Sequence, residues 1–184
     1  MELYLDMDGV VADFFGTLES VTGKPYKASQ TQEDFNNLME KHVCGTDFFA
    51  KLPKFNSVDK LLDIIKVTFG GYTILSAPLS NDTENTIANK NLWIDNNLNV
   101  LPPRERIFTR DKQIYARGNI LIDDYLPNIE KWVAHGGIGI KYKANSNKYS
   151  EKDLLRALVD VMFIPIGEFK PQIIHLYKRI ENNI

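Results

Sequence analysis

The chain opens on an apolar triplet, Leu3-Tyr4-Leu5, that runs directly into Asp6-Met7-Asp8-Gly9. The triplet reads as a short buried strand that delivers two carboxylates to its tip, and Gly9 lets the backbone turn sharply there. In a parallel α/β sheet, ligands sit at the carboxyl ends of the strands. Alternate residues of an extended segment point the same way, so Asp6 and Asp8 can approach one small site. Two carboxylates so placed repel unless a cation or a shared proton intervenes. Mg²⁺ suits two or three carboxylate oxygens together with waters and a substrate phosphate. With that charge held, one Asp can attack phosphorus while the other, kept protonated, protonates the leaving oxygen.

The remaining chain alternates strand and helix signals. A helix is expected after Phe14, through residues 17–21, stopping near Gly23-Lys24-Pro25. Apolar residues recur at helical spacing over 32–39 and more strongly over 58–67, with a turn-rich stretch carrying Phe48-Phe49 between them. A second strand, 72–76, ends in Ser76. Asn81-Asp82-Thr83-Glu84 resembles a capping box opening a helix to about Asn97. Residues 106–108 form a weaker third strand, entering the polar loop Thr109-Arg110-Asp111-Lys112. A fourth strand, 119–122, ends in Asp123-Asp124, and 137–140 is a fifth. A helix runs from Ser150 to about Phe163, and Pro165 separates it from a last helical segment. This order predicts an α/β fold: a Rossmann-like, three-layer core with a parallel sheet covered on both faces. A small helical cap, 15–70, is inserted after the first strand; the core comprises 1–14 and 71–184. The helix from 58 fits the core equally well, as the crossover into the second strand.

Bulk composition narrows the function classes. A hydrophobic fraction of 43% with 25% charged residues suits a globular domain with a real core. With 22 basic and 24 acidic residues the net charge is −2, which gives no footprint for a nucleic acid polymer. No apolar run reaches membrane-spanning length. The first strand starts at once, leaving no room for a signal peptide, and Cys44 is the single cysteine. A cytoplasmic protein is expected, and a homodimer is compatible with it. Cys44 is read as neither metal ligand nor nucleophile.

Three further polar sites fall at strand tips: Ser76, Lys112 and Asp123-Asp124. Alone, each has an ordinary reading as turn residue, solvated lysine or helix cap. Acid pair, hydroxyl, lysine and acid pair in that order resemble the four motifs of the haloacid dehalogenase superfamily, mostly aspartate-based phosphatases. Asp6-Met7-Asp8-Gly9-Val10-Val11-Ala12-Asp13-Phe14, with 109–112 and 121–124, is similar more narrowly to the cytosolic-type 5′(3′)-deoxyribonucleotidases.

That resemblance implies Mg²⁺-dependent hydrolysis of deoxyribonucleoside monophosphates. It implies Asp6 as nucleophile and metal ligand, and Asp8 as acid/base lending its backbone carbonyl to the metal. Ser76 and Lys112, with Arg110 nearby, would bind phosphate; Asp124 would ligate the metal with Asp123 beside it. Phe14 matches a base-contacting position in the cap, with Phe48, Phe49 and Met39 as companions. The chain departs from the family in following Ser76 with Ala77 rather than a second hydroxyl, in a longer loop from Lys112 to Asp123, and in a short cap without the expected tryptophan. Two alternatives are a phosphatase for another small ester, such as a sugar phosphate, and a non-catalytic nucleotide-binding module.

Overall fold

A computed structural model describes residues 1–23, 25, 31–144, 151–164, 168–174 and 176. Its six strands, β1 (Leu3–Leu5), β2 (Thr73–Ser76), β3 (Glu105–Phe108), β4 (Ile120–Asp123), β5 (Ile138–Lys141) and β6 (Gln172–Ile174), form one sheet in the order β3-β2-β1-β4-β5-β6. Every pairing is parallel. The expected α/β architecture is therefore present, with β1 at the centre.

The side chains of each strand divide between two layers, as the two-residue period requires. Leu3, Leu5, Ile74, Ile120 and Ile122 join the larger core, with residues of α3 (Val58–Phe69), α4 (Thr83–Asn97) and α6 (Glu151–Met162). Tyr4, Leu75 and Leu121 join a smaller cluster with Ile129 and Trp132 of α5 (Leu126–Ala134). That helix lies directly on the sheet: a Cβ at Gly139 of β5 would stand 2.6 Å from Ile129 Cγ2.

Between β1 and β2 the chain makes α1 (Phe14–Thr22), α2 (Gln32–His42), a 3₁₀ turn (Phe49–Lys51) and α3. Asp13 caps α1 by accepting from the Gly16 amide at 3.0 Å. Thr31 and Asp34 form a reciprocal capping box at α2. α3 buries Val58, Leu61, Leu62 and Ile65 and packs against α6. One face of α4 fastens the middle of this insertion. Asp82 accepts from the Gly45 amide at 2.9 Å, Asn85 donates to the Thr46 carbonyl at 3.0 Å, and Trp93 Nε1 donates to the Leu52 carbonyl at 2.6 Å.

Two local expectations are corrected. The capping box at 81–84 does not form: α4 has no side-chain cap, because the Asp82 carboxylate is taken by Gly45 and Asn85. The segment after Pro165 is not helical where it is described. Gln172–Ile174 is strand β6, paired with β5 through Ile138↔Gln172 and Ile140↔Ile174, and a sheet edge offers hydrogen bonds that local pattern cannot reveal. Ser150, Pro165 and residues 177–184 lie outside the described residues.

Trp93 is fully buried, so its single N–H carries the bond to the insertion. Trp93→Phe keeps most of the packing but leaves the Leu52 carbonyl unpaired. We expect a loss of about 1–3 kcal/mol in urea unfolding; a variant as stable as the parent would show that the bond contributes nothing.

Candidate active site

The strand order reverses at β1, with β2 on one side and β4 on the other. Such a reversal opens a crevice at the carboxyl ends of the two diverging strands. Asp6 directly follows β1 and Asp123 closes β4, and the Asp6 amide donates to the Ile122 carbonyl at 2.9 Å, which holds the two tips level. Past Asp6 the backbone coils tightly, with the Val11 and Ala12 amides both donating to the Met7 carbonyl at 2.9 Å.

Asp6, Asp123 and Asp124 each present a carboxylate oxygen, all within 4.8 Å of one another. Lys112 lies between two of them, 2.9 Å from Asp6 Oδ1 and 2.7 Å from Asp123 Oδ2. The contact with Asp6 is an ion pair. Lys112 is not a solvated loop residue: it opens a 3₁₀ turn, Lys112–Tyr115, and is 3% exposed. Asp123 is saturated. Its Oδ2 also accepts from Asn128 at 3.0 Å and its Oδ1 from the Tyr125 amide at 2.8 Å. Asp124 stands against Gly9, where an added Cβ would come 2.6 Å from Asp124 Oδ2. With φ +76° as well, Gly9 is a position where both the turn and the neighbouring carboxylate exclude a side chain.

The Asp8 carboxylate shares a partner with Ser76. Between them lies Lys90 of α4, whose ammonium donates to Asp8 Oδ2 at 2.6 Å, Ser76 Oγ at 2.8 Å and the Ala77 carbonyl at 3.0 Å. Arg110 is exposed at the rim, its Nε donating to the Pro78 carbonyl at 3.4 Å. Phe14, Phe48 and Phe49 are buried and pack on one another, Phe14 stacked on Phe49 at 5.9 Å and Phe48 edge-on to both. Met39 is buried in the same core. Lys143 Nζ sits 4.1 Å from the centre of the Phe15 ring.

Burial pushes the Asp8 carboxyl up, and the Asp6 charge adds to this against the pull of Lys90. Burial likewise raises Asp123, opposed by Lys112 and assisted by Asp6, to about 6. Asp124 is raised well above the usual carboxylate range by burial, Asp123 and Asp6, with Lys143 opposing. Burial disfavours charge on Lys112, but Asp123 and Asp6 outweigh it and hold its pKa above the normal lysine range. Carboxylates thus outnumber the buried ammonium groups, and three of them resist ionising. Hard oxygen donors crowded without enough positive charge are the donor set that fits a divalent cation such as Mg²⁺.

Of the residues expected from sequence, Asp6, Asp123, Asp124 and Lys112 come together, and Asp8 and Ser76 meet beside them. Lys90 and Asn128 were not foreseen. Lys90 carried a usable signal, since it precedes the apolar pair Trp93-Ile94 by three and four residues and so shares their buried face. Asn128 carried none.

A doubly wound parallel sheet with acid pairs on its two central strand tips is the arrangement that the resemblance to the haloacid dehalogenase class of hydrolases leads one to expect. A solved haloacid dehalogenase-superfamily hydrolase from Ehrlichia chaffeensis shares the fold, with a TM-score of 0.54 and 13% identity, covering 88% of this chain and 97% of that one. The family model described as 5′ nucleotidase, deoxy (pyrimidine), cytosolic type C protein matches residues 1–159, and the chain belongs to that family. It is thereby a phosphoric monoester hydrolase. Bordetella bronchiseptica and Bordetella pertussis each have a relative named "Putative 5'(3')-deoxyribonucleotidase", 29% identical over 140 residues, which are 67% of this chain and 74% of each relative. No helix among the described residues is long and apolar enough to cross a membrane.

The raised carboxyls set a pH dependence. A group whose folded pKa lies above its unfolded value, about 3.9 for Asp, favours folding fully only below that value, and this contribution is lost as pH rises through the folded pKa. For Asp123 that loss spans the interval up to about pH 6 and just beyond. In chelator, Asp124→Asn removes one such group, so its melting temperature should gain on the parent between pH 5 and pH 7.5. Added Mg²⁺ should reverse the order at pH 7.5. A difference independent of both pH and Mg²⁺ would contradict the assignment.

Proposed function

We propose that the chain is a Mg²⁺-dependent phosphatase that hydrolyses deoxyribonucleoside monophosphates through an aspartyl-phosphate on Asp6. The observation that carries this reading is the convergence of Asp6, Asp123 and Asp124 within 4.8 Å, with Lys112 between them and Asp8 and Ser76 alongside. Asp6, Asp124 and the Asp8 carbonyl would hold the metal, with Asp123 orienting Lys112 beside them. When bound, the metal offsets charge on the phosphoryl oxygens.

The residues divide the chemistry as follows. Lys112 and the Ser76 hydroxyl, with Arg110 at the rim, bind phosphoryl oxygens. An oxygen of Asp6 forms a bond to phosphorus as the ester P–O bond breaks, and the proton of Asp8 passes to the departing alcohol. Burial shifts the Asp8 carboxyl upward, the direction that a general acid needs, against the pull of Lys90. Water then attacks the phosphorus of the aspartyl-phosphate, Asp8 takes its proton, and inorganic phosphate leaves with Asp6 restored. Of the segment 15–70 between β1 and β2, α1, α2 and the 3₁₀ turn act as a small cap over the site, while α3 packs against α6 as part of the core. The family and the names of the Bordetella relatives support a free nucleotide substrate and a cytosolic setting.

One observation favours a second reading. Phe14, Phe48 and Phe49 are buried and pack on one another, with Lys90 over the Phe49 ring, an arrangement that suits a smaller ester such as a sugar phosphate. A panel of monophosphates separates the two, with pyrimidine deoxynucleotides leading under the first reading. Asp6→Asn should lose at least about a thousandfold in kcat while keeping a cooperative melting transition, and chelator should silence the parent. Turnover at the parental rate in Asp6→Asn would refute the mechanism.

A further inference from the structure

Lys90 is a lysine with no solvent exposure, on a helix that contributes no expected site residue. An ammonium has three donors and no acceptor. Here all three are engaged, by Asp8 Oδ2, Ser76 Oγ and the Ala77 carbonyl. Lys90 therefore has no donor left for a substrate oxygen, which separates its role from that of Lys112. Nor does burial of an ion pair explain itself as a stabilising device, since apolar replacement of such pairs is often neutral or better.

We infer that Lys90 is a positioning residue that fixes which atoms of Asp8 and Ser76 face the reacting phosphoryl group. Two consequences follow from hydrogen-bond polarity alone. Ser76 Oγ accepts from Lys90, so the hydroxyl proton must point elsewhere, and no group among the described residues accepts it. That proton is thereby aimed as a donor toward a phosphoryl oxygen. Asp8 Oδ2 is held by Lys90, while Oδ1 is buried with no hydrogen-bond partner. Oδ1 is the oxygen left to carry a proton to the leaving group. A single ammonium on α4 thus sets the orientation of one residue after β1 and one at the end of β2. It also lies 4.8 Å from the centre of the Phe49 ring, so the same group touches the inserted segment.

The inference rests on the phosphatase reading above, and the leaving group distinguishes them. Protonation by Asp8 matters for an alkyl ester, whose alkoxide leaves poorly, and little for p-nitrophenyl phosphate. The ratio kcat/KM reports the first irreversible step, in which Asp6 is phosphorylated. Lys90→Met should lower kcat/KM for a pyrimidine deoxynucleoside 5′-monophosphate about a hundredfold, and for p-nitrophenyl phosphate less than about tenfold. Lys90→Gln, which keeps a donor between Asp8 and Ser76, should recover part of the nucleotide activity. It also decides the question by the same ratio if Lys90→Met does not fold. Equal losses for both esters, or no loss for either, would overturn the positioning role while leaving the phosphatase reading intact. If the parent hydrolyses neither ester with Mg²⁺ present, both fall.

Discussion

Carboxylates crowded at the tips of two adjacent strands are the constraint on which the rest of this molecule depends. Two unit charges 4.8 Å apart repel by roughly 3 kcal/mol at an effective dielectric of about 20. Several such pairs are comparable with the whole stability of a small domain, roughly 5–15 kcal/mol. The cluster is tolerable only with cations among its members. The protein builds two into its interior, Lys112 between Asp6 and Asp123 and Lys90 against Asp8. The remaining imbalance appears as raised carboxyl pKa values and as the donor set for a divalent ion. Stability has been traded for a site that binds charge.

The two lysines divide the crevice. On the β4 side, Lys112, Asn128 and the Tyr125 amide saturate Asp123 and leave Asp124 open beside Gly9. On the β2 side, Lys90 ties Asp8 to Ser76 and lies against Phe49. α4 supplies Lys90, Asn85 and Trp93, and Asp82 directly precedes it; Asp82, Asn85 and Trp93 fasten residues 45–52. One helix therefore holds both Asp8 and Ser76 and anchors part of the segment inserted between β1 and β2. Any rearrangement of that segment during substrate entry has to pass through α1 and α2, or break these bonds.

Much of this was legible in the chain because the relevant signals are local. β1, β2 and β4 are short apolar runs ended by polar residues, and Asp6, Asp8, Ser76, Asp123 and Asp124 fall at or just beyond such an end, while Arg110 and Lys112 follow the weaker β3. Non-local partners were not legible. Lys90 reaches Asp8 across 82 positions of sequence, so only its place on a buried helical face could have marked it. Asp82 looked like a cap, but its carboxylate is taken by Gly45, 37 positions away. β6 has a three-residue core with two isoleucines and no readable period, and pairing with β5 decides its state. The aromatic residues Phe14, Phe48 and Phe49 were recognisable as companions. That they would pack on each other depends on how the insertion folds back, which no local pattern encodes.

The central claim is that one cation is shared between the β1 and β4 tips. Crystals grown with Mn²⁺ in place of Mg²⁺ and measured at the manganese edge test it most directly. The account predicts a single anomalous peak in contact with carboxylate oxygens of Asp6 and Asp124. A peak elsewhere, or an empty crevice at saturating Mn²⁺, would contradict it.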